Sequence, residues 1–96
     1  MSSVYILFSK TLDRYYMGMT GEDAYSRLLA HNSARYGNDR YTAQANDWEL
    51  KLVMDCDDNR HALRLERKIK KMKSRKYLEN LMKYEELREK ITNQTR

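Results

Sequence analysis

Ser3-Val4-Tyr5-Ile6-Leu7-Phe8-Ser9 is the stretch on which the fold turns. Val4, Ile6 and Phe8 alternate with Tyr5 and Leu7, so the run is β-rich and apolar on both faces, as in a strand buried on both sides. Downstream, Lys10-Thr11-Leu12-Asp13 is short and polar, and Arg14 to Thr20 is aromatic and methionine-rich before Gly21. Two such runs joined by a short polar link predict a hairpin. With the turn centred between Lys10 and Thr11, Tyr5 and Tyr16 stand opposite one another. Directly opposed residues point to the same face, so two phenols share one surface.

After Gly21, Glu22 and Asp23 place negative charge where a helix N-terminus favours it. Ala24, Tyr25, Leu28 and Leu29 follow at helical spacing and predict a first helix to about Asn32, with Arg27 and His31 four apart on one flank. Ser33 to Asp47 is polar and reads as a long surface loop, a candidate substrate-side segment because long irregular loops often carry function. Trp48, Leu50, Leu52 and Met54 alternate with Glu49, Lys51, Val53 and Asp55, the pattern of a half-buried third strand.

Asp57, Asp58 and Asn59 offer N-caps to a second helix with apolar positions at Ala62, Leu63, Leu65, Ile69 and Met72. Turn and capping work suits the three aspartates Asp55, Asp57 and Asp58 better than a metal cluster, and His61 reads as a first-turn surface residue. Ser74 is placed to cap a third helix with its stripe at Tyr77, Leu78, Leu81, Met82, Leu87 and Ile91. Thr92 to Arg96 is expected to fray. The order is ββαβαα: an α+β fold in which a three-stranded antiparallel sheet is flanked by three helices, with a single domain over 1–91 and a frayed tail over 92–96.

The chain has 96 residues, 34 % of them charged, with a formal net charge of +5. That length excludes a multidomain catalyst. No apolar run approaches the roughly 18 residues of a membrane span, and the N-terminus lacks a cationic start and cleavage site, so a cytoplasmic protein is expected. Cys56 is the single cysteine, and with only His31 and His61 beside it neither a disulfide nor a structural zinc site can be assembled. No Gly-rich phosphate loop, no Ser/His/Asp order and no paired histidine spacing is present, so neither a nucleotide-hydrolysing fold nor a serine hydrolase has support, and no nucleotide cofactor is expected. The excess positive charge lies in the second half. Arg67, Lys68, Lys70, Lys71, Lys73, Arg75 and Lys76 fall in a segment without an acid, a composition that draws polyanions, nucleic acid first among them.

Glu66 falls inside the apolar arc of the second helix, where a carboxylate is expensive unless paired or bound to a cation. Lys70, one turn on, would make an i,i+4 pair, or the carboxylate could sit at a partly exposed edge; a hard cation is the functional alternative, since Mg²⁺ often takes only one or two protein carboxylates. Tyr5, Tyr16, Arg27 and His31 have ordinary roles available as core aromatics and solvated helix residues.

Taken in order, Ser3-Val4-Tyr5, Tyr16-Met17-Gly18, Arg27-Leu28 with His31-Asn32, Trp48-Glu49-Leu50, and Glu66 leading Lys70 to Arg75 make a pattern that resembles the GIY-YIG nuclease superfamily. The resemblance covers about residues 2 to 82 and is nearest the small stand-alone members related to the N-terminal domain of the excinuclease. It implies a metal-dependent endonuclease acting on DNA, in repair or recombination. It further implies that Tyr5 activates water, Tyr16 holds the phosphate, Arg27 lowers the phenol pKa and stabilises transition-state charge, and His31 relays the proton. Glu66 is the implied ligand of one Mg²⁺ or Mn²⁺. Asn80 loosely matches the family's last asparagine. Ser3 stands where the family has its first glycine, Val4 and Met17 replace isoleucines, and Gly18 to His31 is one residue longer than the common spacing. The competing readings are a catalytically silent nucleic-acid-binding module using the basic run, and an adaptor for an acidic protein. A protein partner or homodimer is left open.

Overall fold

The computed structural model describes residues 2–21, 26, 28, 29, 32 and 47–96. Strands β1 (Ser2–Ser9), β2 (Arg14–Thr20) and β3 (Trp48–Cys56) form an antiparallel sheet in the order β2-β1-β3. β1 is central, as its two apolar faces require, and both faces are covered. Val4, Ile6, Met17, Met54 and Cys56 pack with Ala62, Leu65, Ile69, Leu81 and Ile91. On the opposite side Tyr5, Leu7 and Trp48 are buried with Leu12, Tyr16, Leu28 and Leu50 packed against them. Ser26, Leu28, Leu29 and Asn32 are helical, and the remainder of the expected first helix, with the loop from Ser33 to Asn46, lies outside the described residues.

The hairpin register differs from the expected one by two residues: Tyr5 pairs with Gly18, and Tyr16 pairs with Leu7. The turn is longer than a hairpin centred at Lys10 and Thr11 allows, because Asp13 takes a left-handed backbone (φ 51°) before β2 begins. A slip of two keeps face parity, so the phenols still share a side. Asp47, entering β3, ties this turn down. Its carboxylate accepts from Ser9 Oγ (2.6 Å), Thr11 N–H (2.9 Å) and Thr11 Oγ1 (2.9 Å), which holds its pKa down at about 2.

β3 does not keep its apolar stripe on one face. Its register against β1 shifts between Ile6 and Leu7, which pair with Leu52 and Leu50 and leave Lys51 as the extra residue. Trp48 and Leu50 therefore serve the Tyr5 side, while Leu52 and Met54 serve the other.

Helix α1 (Asn59–Met72) starts where Asp58 Oδ1 accepts from the His61 N–H at 2.8 Å, the expected cap. It buries His61, Ala62, Leu65 and Ile69. Leu63 and Met72, expected in that stripe, are 38 % and 49 % exposed. At about 100° per residue Leu63 faces away from Leu65 and Ile69, and Met72 lies at the helix end, beyond the last core turn. His61 is not a surface residue. It sits one turn before Leu65 on the buried face; Nδ1 accepts from the Asp57 N–H (3.0 Å), so Nε2 carries the proton and meets the Thr92 carbonyl (2.9 Å) and Thr95 Oγ1 (3.2 Å).

Ser74 caps α2 (Arg75–Lys83) by accepting from the Tyr77 N–H at 3.1 Å. The expected third helix is then broken at Tyr84 (φ −114°, ψ 107°), and a separate helix α3 (Glu85–Gln94) follows. The tail expected to fray at Thr92 is instead helical to Gln94, with Thr95 buried against His61 and its carbonyl taking the Arg64 Nε–H at 2.7 Å. These polar anchors, invisible to an apolar pattern, hold it. Among the described residues no helix is long and apolar enough to cross a membrane.

Candidate active site

Tyr5 comes from the middle of β1 and is 1 % exposed. Its ring lies across the sheet over its direct partner: a Cβ added to Gly18 would stand 2.7 Å from Tyr5 Oη and 2.9 Å from Cζ, and 3.2 Å from Tyr16 Cε1. A residue without a side chain at 18 is thus what admits the phenol. Tyr16 is the diagonal neighbour, its ring 6.5 Å from that of Tyr5 and 6.3 Å, edge-on, from that of Trp48. Asn32 brings the helical residues between β2 and β3 to this face, donating through Nδ2 to the Trp48 carbonyl (2.9 Å) and accepting the Trp48 N–H (2.8 Å).

Tyr16 also lines an open cavity of about 640 Å³. Its other walls are the hairpin turn (Asp13, Arg14, Tyr15), the end of α1 (Ile69, Lys70, Lys73) and the start of α2 (Ser74, Arg75, Leu78). Glu66 stands one hydrogen bond away from this cavity: Lys70 Nζ donates to Glu66 Oε1 at 2.8 Å. The carboxylate side chain is 15 % exposed and the lysine 55 %, so the pair is half out of water and the i,i+4 partner is the one realised.

Of the five proposed site residues, the structure brings Tyr5 and Tyr16 together, with Glu66 reached through Lys70. α1 packs its apolar stripe against the Val4 side of the sheet and Glu66 sits on that stripe's flank, so helix and phenols do not border a single face. Arg27 and His31 lie outside the described residues. Among the described residues no group of three or more histidine, cysteine, aspartate or glutamate side chains forms a metal cage. A hard cation that keeps most of its waters and takes one carboxylate needs no such cage; Glu66, the carboxylate the resemblance assigns to it, is matched here to the Lys70 ammonium.

The basic run divides. Lys70, Lys73 and Arg75 line the cavity, while Arg67, Lys68, Lys71 and Lys76 are exposed elsewhere, Lys68 meeting Gln94 Oε1 at 3.2 Å. Arg75 is largely occupied within the fold. It donates to the Asp13 carbonyl (3.2 Å) and Oδ1 (2.9 Å), lies 5.2 Å from the Tyr15 ring centre and 5.8 Å from that of Phe8, and pairs with Glu79 at 3.5 Å. The Arg75 hydrogen bond and charge hold the Asp13 carboxyl below its usual range. Asn80 contributes its carbonyl to the end of α2, accepting the Tyr84 N–H at 2.8 Å.

Three residues of this region carry little signal in the sequence. For Gly18 the cue is a glycine opposite a buried tyrosine; Arg14 is a lone charge at a strand start, and Asp47 is a polar residue at the end of a polar segment. Comparison with curated proteins and with solved structures gives no significant match. The family model described as the GIY-YIG catalytic domain matches residues 1–84, which takes in the sheet, α1 and α2. With its β2-β1-β3 sheet, its paired tyrosines on adjacent strands and that match over most of its length, the chain belongs to the GIY-YIG family.

Proposed function

We propose that this protein is a divalent-metal-dependent endonuclease that hydrolyses DNA phosphodiester bonds, in DNA repair or recombination. The observation that carries the reading is the pairing of Tyr5 and Tyr16 around the bare backbone of Gly18, at the strand positions that give the family its name. Tyr5 takes the proton of the attacking water, and Tyr16, which is partly buried and borders the cavity, orients the phosphate. A phenol such as this is a poor base at the ordinary value near 10. The positive charge of Arg27 favours its phenolate and stabilises charge on the phosphoryl oxygens, and His31 passes the proton onward. Glu66 would hold one Mg²⁺ or Mn²⁺ after Lys70 swings to solvent, and when bound the ion supplies charge at the phosphate and leaving oxygen. The run Arg67, Lys68, Lys70, Lys71, Lys73, Arg75 and Lys76 supplies the positive field that attracts the DNA.

The burial of Tyr5 and the Glu66–Lys70 pair favour a second reading, a nucleic-acid-binding module without turnover. Cleavage of a panel of single-stranded, duplex, flapped and branched DNA with Mg²⁺ or Mn²⁺ separates the two. Metal-dependent cutting abolished by chelator supports the nuclease; binding of the same panel with no cutting by purified protein refutes it.

A further inference from the structure

Both non-glycine residues with positive φ among those described, Asp13 (φ 51°) and Lys73 (φ 46°), line the cavity that Tyr16 borders. A left-handed backbone is disfavoured for residues with a Cβ, and at the C-terminal cap of a helix, where Lys73 sits, glycine is the usual solution. Asparagine and aspartate tolerate the conformation; lysine does so poorly. A lysine kept there is held at a cost, and such costs concentrate where a side chain has work to do. Its place is informative. Lys73 at the α1 end, Lys70 one turn earlier and Arg14 at the start of β2 surround a floor made of Tyr15, Met17 and Ile69. Arg75 is engaged by Asp13 and stacked near Tyr15, and Lys70 by Glu66, which leaves Arg14 and Lys73 as the lining cations outside those two pairs.

We propose that this cavity is the track for the sugar-phosphate backbone of the DNA strand flanking the scissile bond. Arg14 and Lys73 contact its phosphates, Lys70 joins them on leaving Glu66, and deoxyribose rings rest on the floor of Tyr15, Met17 and Ile69. Charge complementarity selects the occupant: Arg14 and Lys73 beside an apolar floor match a chain of anions joined by weakly polar sugars. The proposal rests on the nuclease reading for the position of the scissile bond at Tyr16. It narrows the basic run to the residues that touch the strand and adds Arg14, which lies outside that run.

The test compares two charge-matched variants, Arg14→Gln/Lys73→Gln and Lys68→Gln/Lys71→Gln. Binding to a duplex is measured by fluorescence anisotropy in EDTA across about 50 to 200 mM salt. Each lost phosphate contact should reduce the salt slope by about one, so the cavity variant is expected to lose about two from the slope and on the order of tenfold or more in affinity. The other variant removes the same charge and should lose less than half as much. Equal losses, or the larger loss in Lys68→Gln/Lys71→Gln, would overturn the track, as would a wild type whose binding ignores salt. Lys73→Gly guards against misfolding: it should weaken binding while keeping or raising the melting temperature. The two readings fail separately. Wild type that binds through Arg14 and Lys73 yet cuts nothing with Mg²⁺ refutes the nuclease and leaves the track; wild type that cuts while its binding ignores both residues does the reverse.

Discussion

Tyr5 and Gly18 are direct cross-strand partners, and the phenol of one occupies the space that a side chain on the other would need. The two residues are therefore a single device built on adjacent strands. Gly18→Ala puts a methyl 2.7 Å from Tyr5 Oη and 2.9 Å from Cζ, closer than side chains pack, so the ring must move. Overpacking of this kind destabilises by about 1–3 kcal/mol. Cleavage should fall well beyond what the lost stability explains. Tyr5→Phe removes Oη and part of the clash, so Gly18→Ala should cost less in that background, with a coupling of about 0.5 kcal/mol or more in a denaturation cycle. Additive costs would separate the residues and discard the device.

Glu66→Gln is nearly isosteric and retains an acceptor for Lys70. The fold should survive with little change in melting temperature, while cleavage at limiting Mg²⁺ drops on the order of 100-fold or more. Cleavage at the wild-type rate would remove Glu66 from the metal site.

Asp47 predicts a feature of the acid limb of stability. Three hydrogen bonds hold its folded pKa at about 2, below the ordinary 3.8, so the ionised carboxylate favours the folded state. That contribution is fully present above about pH 4 and is lost as the pH falls towards 2. Asp47→Asn should melt lower than wild type at neutral pH, and the two curves of melting temperature against pH should converge at the acid end. Parallel curves down to about pH 2 would show that this carboxylate does not tie the hairpin turn to β3.

His61 joins α1 to the far end of the chain. With Nδ1 accepting from Asp57 and Nε2 donating towards Thr92 and Thr95, His61→Ala leaves a cavity and strands those groups, a loss of about 2–3 kcal/mol. For a domain of this size that lowers the melting temperature by roughly 10–20 °C. Removing Thr92 to Arg96 should have a comparable effect, whereas a truly frayed tail could be cut without consequence.

The architecture was legible where apolar periodicity carries the information. Val4 to Phe8 announces a central strand because no polar residue marks an outer face, and Asp58 and Ser74 announce helix starts through their own side chains. What stayed hidden is set by contacts distant in sequence. His61 looks like a surface residue beside Asn59 and Arg60 until Thr92 and Thr95 arrive to satisfy it. Lys51 gives no sign that β3 bulges there, because alternation reads the same before and after the shift. No glycine or proline marks the break at Tyr84. In the candidate site, face parity survives a register slip of two, so the shared side of Tyr5 and Tyr16 could be read from the strands alone. The occupation of Arg75 by Asp13 could not, since it depends on how the hairpin turn meets α2.

The break at Tyr84 coincides with the end of the family match, and α3 lies beyond it. It lies beside β3, with Arg88, Thr92 and Arg96 bordering the same cleft as Val53, Met54 and Asp55. β3 is an edge of the sheet, and among the described residues no further strand pairs with it. An uncovered edge with an exposed valine is a template for another chain to add a strand. α3 thus sets Arg88 and Arg96 beside that edge, and charged side chains next to an edge strand are one of the ways a fold disfavours such pairing, so the latch at His61 that docks α3 also determines what an approaching strand would meet.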